Sequence, residues 1–240
     1  MLILYDRRLA YDLRRPVYAL DLRNHGDSSH HPQHTYTDLA EDVELFLNRH
    51  NLKHTTLIGH SMGAKTVMAV ALRKKVSISS LIPIDNSPVD AALKSDFGKY
   101  VDGMRAIAAA QPTKQSDADA ILKPYEDALP IRQFLLTNLI RSADNSHLTW
   151  RIPLKTLAAA LDDMADFPFK DPEEARFEGP TLVVRGTKSK YVADEMLPVI
   201  GRFFPRFEVV DVEAGHWVVS EKPEEFRRGE FFLLYCFEVW

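Results

Sequence analysis

The sequence predicts an α/β protein: a mostly parallel sheet flanked by helices, with a helical cap inserted between its strands. Three observations carry this. Short apolar runs and amphipathic stretches alternate as β-α-β-α-β in the first part of the chain. From about Val89 to Ala175 the alternation gives way to mainly helical patterns. Strand-like runs then resume at Thr181 and at Phe207. The expected organisation is a first part of the core sheet over residues 1–88, a cap over 89–175 and a second part of the sheet over 176–240.

Taken in order, residues 16–22 (PVYALDL) form a short apolar run and read as a strand. The polar, glycine-containing segment 21–29 (DLRNHGDSS) is the loop after it. Residues 36–50 carry Leu39, Val43, Phe46 and Leu47 at helical spacing, and Thr37 or Asp38 can cap the start. Residues 55–58 read as a buried strand, 64–72 as a helix and 78–85 (ISSLIPID) as the next strand, ended by Asn86-Ser87-Pro88. Helical patterns follow at 97–110, 118–128, 131–142 and 154–164. Phe97, Met104, Phe134, Leu135 and Trp150 in this region are candidate liners of an acyl pocket, although apolar residues at helical spacing more often form plain core. The remaining elements are a strand at 181–186, a helix at 193–204, a strand at 207–212 and a final helix at 221–234.

Composition narrows the function. The 240 residues suit one α/β domain with an insertion, and 45% hydrophobic content supports a real core. Net charge is −4, without a basic block or aromatic–basic stripe, so no nucleic-acid partner is expected. The single cysteine, Cys236, rules out an intrachain disulfide or a cysteine-based zinc site, which suits a reducing compartment. No metal-ligand cluster and no glycine-rich phosphate loop is present, so no metal or cofactor is expected. No apolar run approaches the roughly 18 residues of a membrane span; the densest lies at 231–237. The N-terminus reads as neither a signal nor a transit peptide.

Chemistry enters at Gly59-His60-Ser61-Met62-Gly63, a G-x-S-x-G nucleophile elbow with a strand before it and a helix after it. The tight turn predicts strained dihedrals at Ser61. A Cβ at Gly59 or Gly63 is expected to crowd neighbouring backbone. Ser61 would stand at the top of the sheet, with the Met62 N–H and the helix N-terminus facing an oxyanion. Lys65, just past the elbow, is expected to be exposed.

An activated serine needs a base, and the base needs an orienting carboxylate. Of the nine histidines, His216 sits in a Gly-His loop after the last strand, where chain order Ser…Asp/Glu…His places the base. His60 is expected to pack in the core, and His25, His30, His31 and His34 to be solvated. The usual place for the acid is the loop after Gly186, but residues 187–190 read Thr-Lys-Ser-Lys. Asp85, at the end of the preceding strand, can still reach His216, because adjacent strand ends open into one crevice. Asp85 is therefore the assigned acid and Asp194 the reserve. Asp162 and Asp163 read as a solvated helix face.

The segments GHSMGAK, DLRNHGDSSHHP, IDNSPVD, LLTNL, TWRIPL and AGHWVVSEKPEEF together resemble one family of the α/β-hydrolase fold. It includes abhydrolase-domain-containing protein 11, yeast-type ethanol acetyltransferases and bacterial esterases. The resemblance runs from about Pro16 to Phe226 and places the family's triad on Ser61, Asp85 and His216. It implies a serine hydrolase of short- to medium-chain esters or thioesters, or an alcohol acyltransferase using acyl-CoA, and a mitochondrial setting, otherwise a cytoplasmic one. The serine at 61 argues against a dehalogenase or epoxide hydrolase, which need aspartate there. The chain departs from the pattern at both ends. Further strands and an HG-x-x-G-type oxyanion loop would normally precede Pro16, and GEFFLLYCFEVW is unlike the family's final helix. The expectation is a truncated or mis-spliced gene model, with a bare sheet edge, and the third reading of its function is an inactive remnant.

Overall fold

The computed structural model describes residues 9–90 and 96–228. They fall into two compact units, one of residues 9–20, 36–90 and 167–228, the other of residues 21–35 and 96–166. In chain order the first unit contributes helix α1 (Tyr36–Arg49), strand β1 (Thr55–His60), helix α2 (Met62–Arg73) and strand β2 (Ile78–Ile84). The second holds α3 (Asp96–Ala110), α4 (Gln115–Leu122), α5 (Leu129–Leu136), β3 (Leu139–Arg141), β4 (Leu148–Trp150), α6 (Leu154–Ala159) and α7 (Leu161–Ala165). The chain returns to the first unit with β5 (Thr181–Gly186), a 3₁₀ turn at Asp194–Met196, α8 (Leu197–Phe203), β6 (Phe207–Val212), α9 (Val218–Glu221) and α10 (Pro223–Arg228).

The sheet of the first unit runs β1-β2-β5-β6, and every neighbouring pair is parallel. Parallel strands covered on both faces need near-continuous apolar runs. That is why Leu81-Ile82-Pro83-Ile84 and Leu182-Val183-Val184 are buried throughout. Ile82, Ile84, Leu182, Val184 and Val212 pack with Leu13, Ala214 and Val218 into one core. The register pairs His60 with Ile84 and Gly186 with Val212. All four strands therefore finish along one edge, and the loops leaving that edge can meet.

Residues 16–22 do not form the expected strand. They make no ladder, and Tyr18 and Leu20 are exposed. A strand exists through its partner, and among the described residues β1 pairs with β2 alone. The expected helix at 131–142 ends at Leu136, and a two-stranded antiparallel hairpin, β3–β4, follows. Its turn is organised by Asp144, which accepts from the hydroxyl of Ser142 at 2.6 Å and from the N–H of Ser146 at 3.1 Å. Helix α4 ends before Pro124, which has no N–H to continue it. The expected final helix at 221–234 is broken at Lys222, ahead of Pro223, and its part beyond residue 228 lies outside the described residues. So do Cys236 and the apolar run at 231–237. No helix among the described residues is long and apolar enough to cross a membrane.

The second unit builds its own core from Ile107, Ala118, Leu122 and Leu136, with Leu135, Leu139 and Trp150 packed against it. Met104 is buried there, and its carbonyl takes the Trp150 indole N–H at 2.9 Å. Of the candidate pocket liners, Met104, Leu135 and Trp150 are thus engaged within their own unit, whereas Phe134 is exposed. The 21–35 loop is less solvated than expected. His34 is buried and accepts from the Asn24 amide at 3.3 Å, and His25 is half-buried. His30 donates to the Arg151 carbonyl at 2.9 Å. Asp162 and Asp163 are exposed, as a solvated face requires.

Candidate active site

The elbow forms because β1 must turn into α2 within a few residues. Ser61 takes φ 55° and ψ −115°, a left-handed backbone that costs on the order of 1–3 kcal/mol in a non-glycine residue. Surrounding hydrogen bonds hold it there. The Ser61 N–H donates to the Ile84 carbonyl at 3.0 Å. Its own carbonyl accepts from the Ala64 N–H at 3.0 Å and the Asn86 side chain at 3.1 Å. A Cβ on Gly59 would lie 2.2 Å from the Gly63 carbonyl oxygen, so glycine is required at that position. Gly63 differs from expectation, because a Cβ there meets nothing within 4 Å. The crowding is one-sided: strand backbone presses on the Gly63 carbonyl, while the Cα of Gly63 faces open space.

Asp85 follows β2 directly. Its φ of 50° bends the chain out of the strand, and its N–H is pinned to the Val184 carbonyl at 2.8 Å. The side chain is fully buried. One carboxylate oxygen accepts from the Gly186 N–H at 3.0 Å, the other from the Ser189 hydroxyl at 2.5 Å and from His216 Nδ1 at 2.7 Å. Three donors compensate for taking the charge out of water. Across the imidazole, His216 Nε2 stands 2.8 Å from Ser61 Oγ. The structure therefore brings Ser61, His216 and Asp85 into one hydrogen-bonded series.

The His216 loop is fixed from several sides. The Gly215 N–H donates to the Glu221 carboxylate at 2.9 Å. The Lys188 N–H donates to the Ala214 carbonyl at 2.9 Å. Gly186 passes so close that a Cβ there would lie 2.3 Å from the Gly215 oxygen. His60 is half-buried and serves this loop in place of the expected core role. Its Nε2–H donates to the His216 carbonyl at 2.7 Å, and burial pushes its pKa down against a smaller upward pull from that bond.

Asp194 stays away from the base. Its side chain is 81% exposed and bound to the Arg185 guanidinium, which also grips Asp211 through two bonds of 2.7 and 2.9 Å. Lys65 is buried instead of exposed. Its Nζ lies 5.4 Å from the centre of the Tyr36 ring, and the packing of α2 against α1 accounts for the burial. The roles of two nearby residues were not read from the sequence. Ser189 donates to the acid, and the Tyr191 ring stacks on His216 with centroids 4.0 Å apart and planes 26° apart. The weak signal for both was the polar Ser-Lys-Tyr run at the usual acid position. Met62 opens α2, so its N–H is among those that the helix leaves unbonded. Among the described residues, no group of three or more His, Cys, Asp or Glu could hold a metal ion.

A serine on a strained strand-to-helix turn above a parallel sheet defines a hydrolase class, the α/β-hydrolase fold. The chain belongs to that family: the model of the α/β hydrolase fold matches residues 4–223. It is 40% identical to a probable alcohol acetyltransferase of Saccharomyces cerevisiae over 91% of this chain and 68% of that protein. It is 37% identical to the mouse sn-1-specific diacylglycerol lipase ABHD11 over 88% of this chain and 69% of that protein. Among solved structures it resembles a marine microorganism esterase, with a TM-score of 0.86 and 27% identity, covering 93% of this chain and 87% of the other.

Proposed function

We propose that this chain is a serine ester hydrolase that works through an acyl-enzyme on short- to medium-chain esters or thioesters. The observation that carries the reading is the series Ser61 Oγ to His216 Nε2 at 2.8 Å and His216 Nδ1 to Asp85 at 2.7 Å. In the proposed cycle His216 takes the Ser61 proton as Oγ attacks the acyl carbon. Asp85 holds the imidazole with Nδ1–H inward and balances its positive charge. The Met62 N–H and the α2 N-terminus receive the oxyanion. The tetrahedral intermediate collapses, the leaving alcohol or thiol takes the proton from His216, and the acyl group stays on Ser61. A second nucleophile, deprotonated by His216, repeats the sequence and frees the serine.

Water as second nucleophile gives hydrolysis, whereas an alcohol gives ester synthesis. The acyltransferase reading is kept because the yeast relative is named a probable alcohol acetyltransferase. The test is hydrolysis of short-chain p-nitrophenyl esters, with and without ethanol, beside labelling by a fluorophosphonate probe. Ser61→Ala is expected to lose on the order of 10⁶-fold in kcat and all labelling. Full activity in that variant would reject the scheme, and ethyl ester as the main product would favour acyl transfer. A folded parent protein that neither labels nor hydrolyses would point to a non-catalytic remnant.

A further inference from the structure

We propose that Tyr191 is a positioning residue for the base, its ring stabilising the imidazolium form of His216 by stacking on it. The inference rests on the serine-hydrolase reading, since it concerns the charge that His216 carries in mid-reaction. Ring centroids 4.0 Å apart and planes 26° apart put the imidazole over the aromatic face. That face is the negative pole of the ring quadrupole and attracts a cation within about 6 Å. The backbone that carries the ring is also held in place. The Tyr191 N–H donates to Ser189 Oγ at 3.2 Å, and its carbonyl accepts from the Ser87 hydroxyl at 2.9 Å. Ser189 in turn donates to Asp85. One short segment therefore supports the acid and covers the base.

The other groups facing His216 leave room for this effect. From the end of β2 comes the Asp85 carboxylate, a full negative charge at 2.7 Å. From the end of β1 comes His60, 4.9 Å away between ring centroids, which burial favours in its neutral form. From its own loop comes the uncharged Trp217 ring at 5.7 Å. The Tyr36 phenol of α1, which interacts electrostatically with Tyr191, is pushed up by burial and then by Tyr191, hence neutral. The Asp85 attraction lies along the ring edge, whereas Tyr191 meets a face.

The two roles open to Tyr191 predict opposite signs. If the ring stabilises the cation, replacing it with an aliphatic side chain lowers the His216 midpoint. If the ring merely shields the imidazole from water, shortening it admits water, favours the cation and raises the midpoint. The experiment is an NMR titration of the His216 imidazole in the whole protein, with the resonance assigned by its loss in His216→Gln. Tyr191→Phe is expected to titrate with the parent. Tyr191→Leu is expected to titrate lower by about half to one pH unit, with the acid limb of kcat/KM moving down alike and its plateau falling about three- to tenfold. If the Leu variant does not fold, pentafluorophenylalanine at position 191 keeps the shape, reverses the quadrupole and must shift the midpoint the same way. Leu and Phe variants that titrate together, or a rise in either the Leu or the fluorinated protein, overturn the proposal. Because the titration needs no turnover, a midpoint that falls in a protein lacking hydrolysis and labelling would sink the catalytic reading alone.

Discussion

The end of β2 and the loop after β5 both lie where a carboxylate could reach His216, and they are built in opposite ways. Asp85 at the first is fully buried, bent inward by a left-handed backbone and supplied with three donors. The second carries Ser189, which donates to that same carboxylate, while its nearest acid, Asp194, faces solvent on Arg185. A buried charge persists where donors replace water. The loop has become one of those donors, so the position that would compete with Asp85 supports it instead.

The sharpest way to break this comparison is to remove the Asp85 charge without changing its shape. In the proposed scheme Asp85→Asn loses the anion and presents a donor to Nδ1, favouring the wrong imidazole tautomer. Hydrolysis is expected to fall by about 10⁴-fold, as in the analogous exchange in a serine protease. Adding Ser189→Asp should restore part of that loss, because the Ser189 oxygen lies 2.5 Å from the Asp85 carboxylate and a carboxyl there can approach the same nitrogen. Kinetics of p-nitrophenyl acetate hydrolysis check both. A double variant no better than Asp85→Asn would mean that the loop cannot present an acid. A smaller effect is expected of Ser189→Ala, which takes one donor from a buried carboxylate. A hydrogen bond to a charged group contributes about 1.5–3 kcal/mol, which here sets an upper range of roughly 10- to 100-fold in kcat/KM.

How much of this was legible in the sequence follows from distance along the chain. The elbow is local: five residues with a strand before and a helix after specify the Ser61 turn and the open N-terminus of α2. The position of His216 follows from chain order, and Asp85 from the absence of a carboxylate at residues 187–190. The links from Ser189 to Asp85 and from Tyr191 to His216 join segments far apart in the chain and leave no spacing to read. Burial of Lys65 was hidden for a similar reason, since a lysine on the first turn of a helix is exposed unless another helix covers it, as α1 does. Residues 16–22 show the converse failure. Their apolar pattern is that of a strand, but a strand also needs an edge to pair with, which a local pattern does not encode. The β3–β4 hairpin is too short for alternation to show, and its Asp144-centred turn was the available sign.

The smallest expected effect completes the contrast between the two acids. Asp194→Asn removes a charge that the sequence alone left as the reserve acid. Its carboxylate is largely solvated and its partner Arg185 keeps both bonds to Asp211, so the guanidinium stays anchored after the change. An exposed ion pair of this kind contributes under about 1 kcal/mol and is screened by salt. Hydrolysis should therefore match the parent, and the melting temperature should fall slightly at low ionic strength and converge with the parent at high salt. A loss of kcat comparable with that of Asp85→Asn, at unchanged melting temperature, would show that the exposed acid swings inward during turnover, and the division of labour between the two strand ends would have to be redrawn.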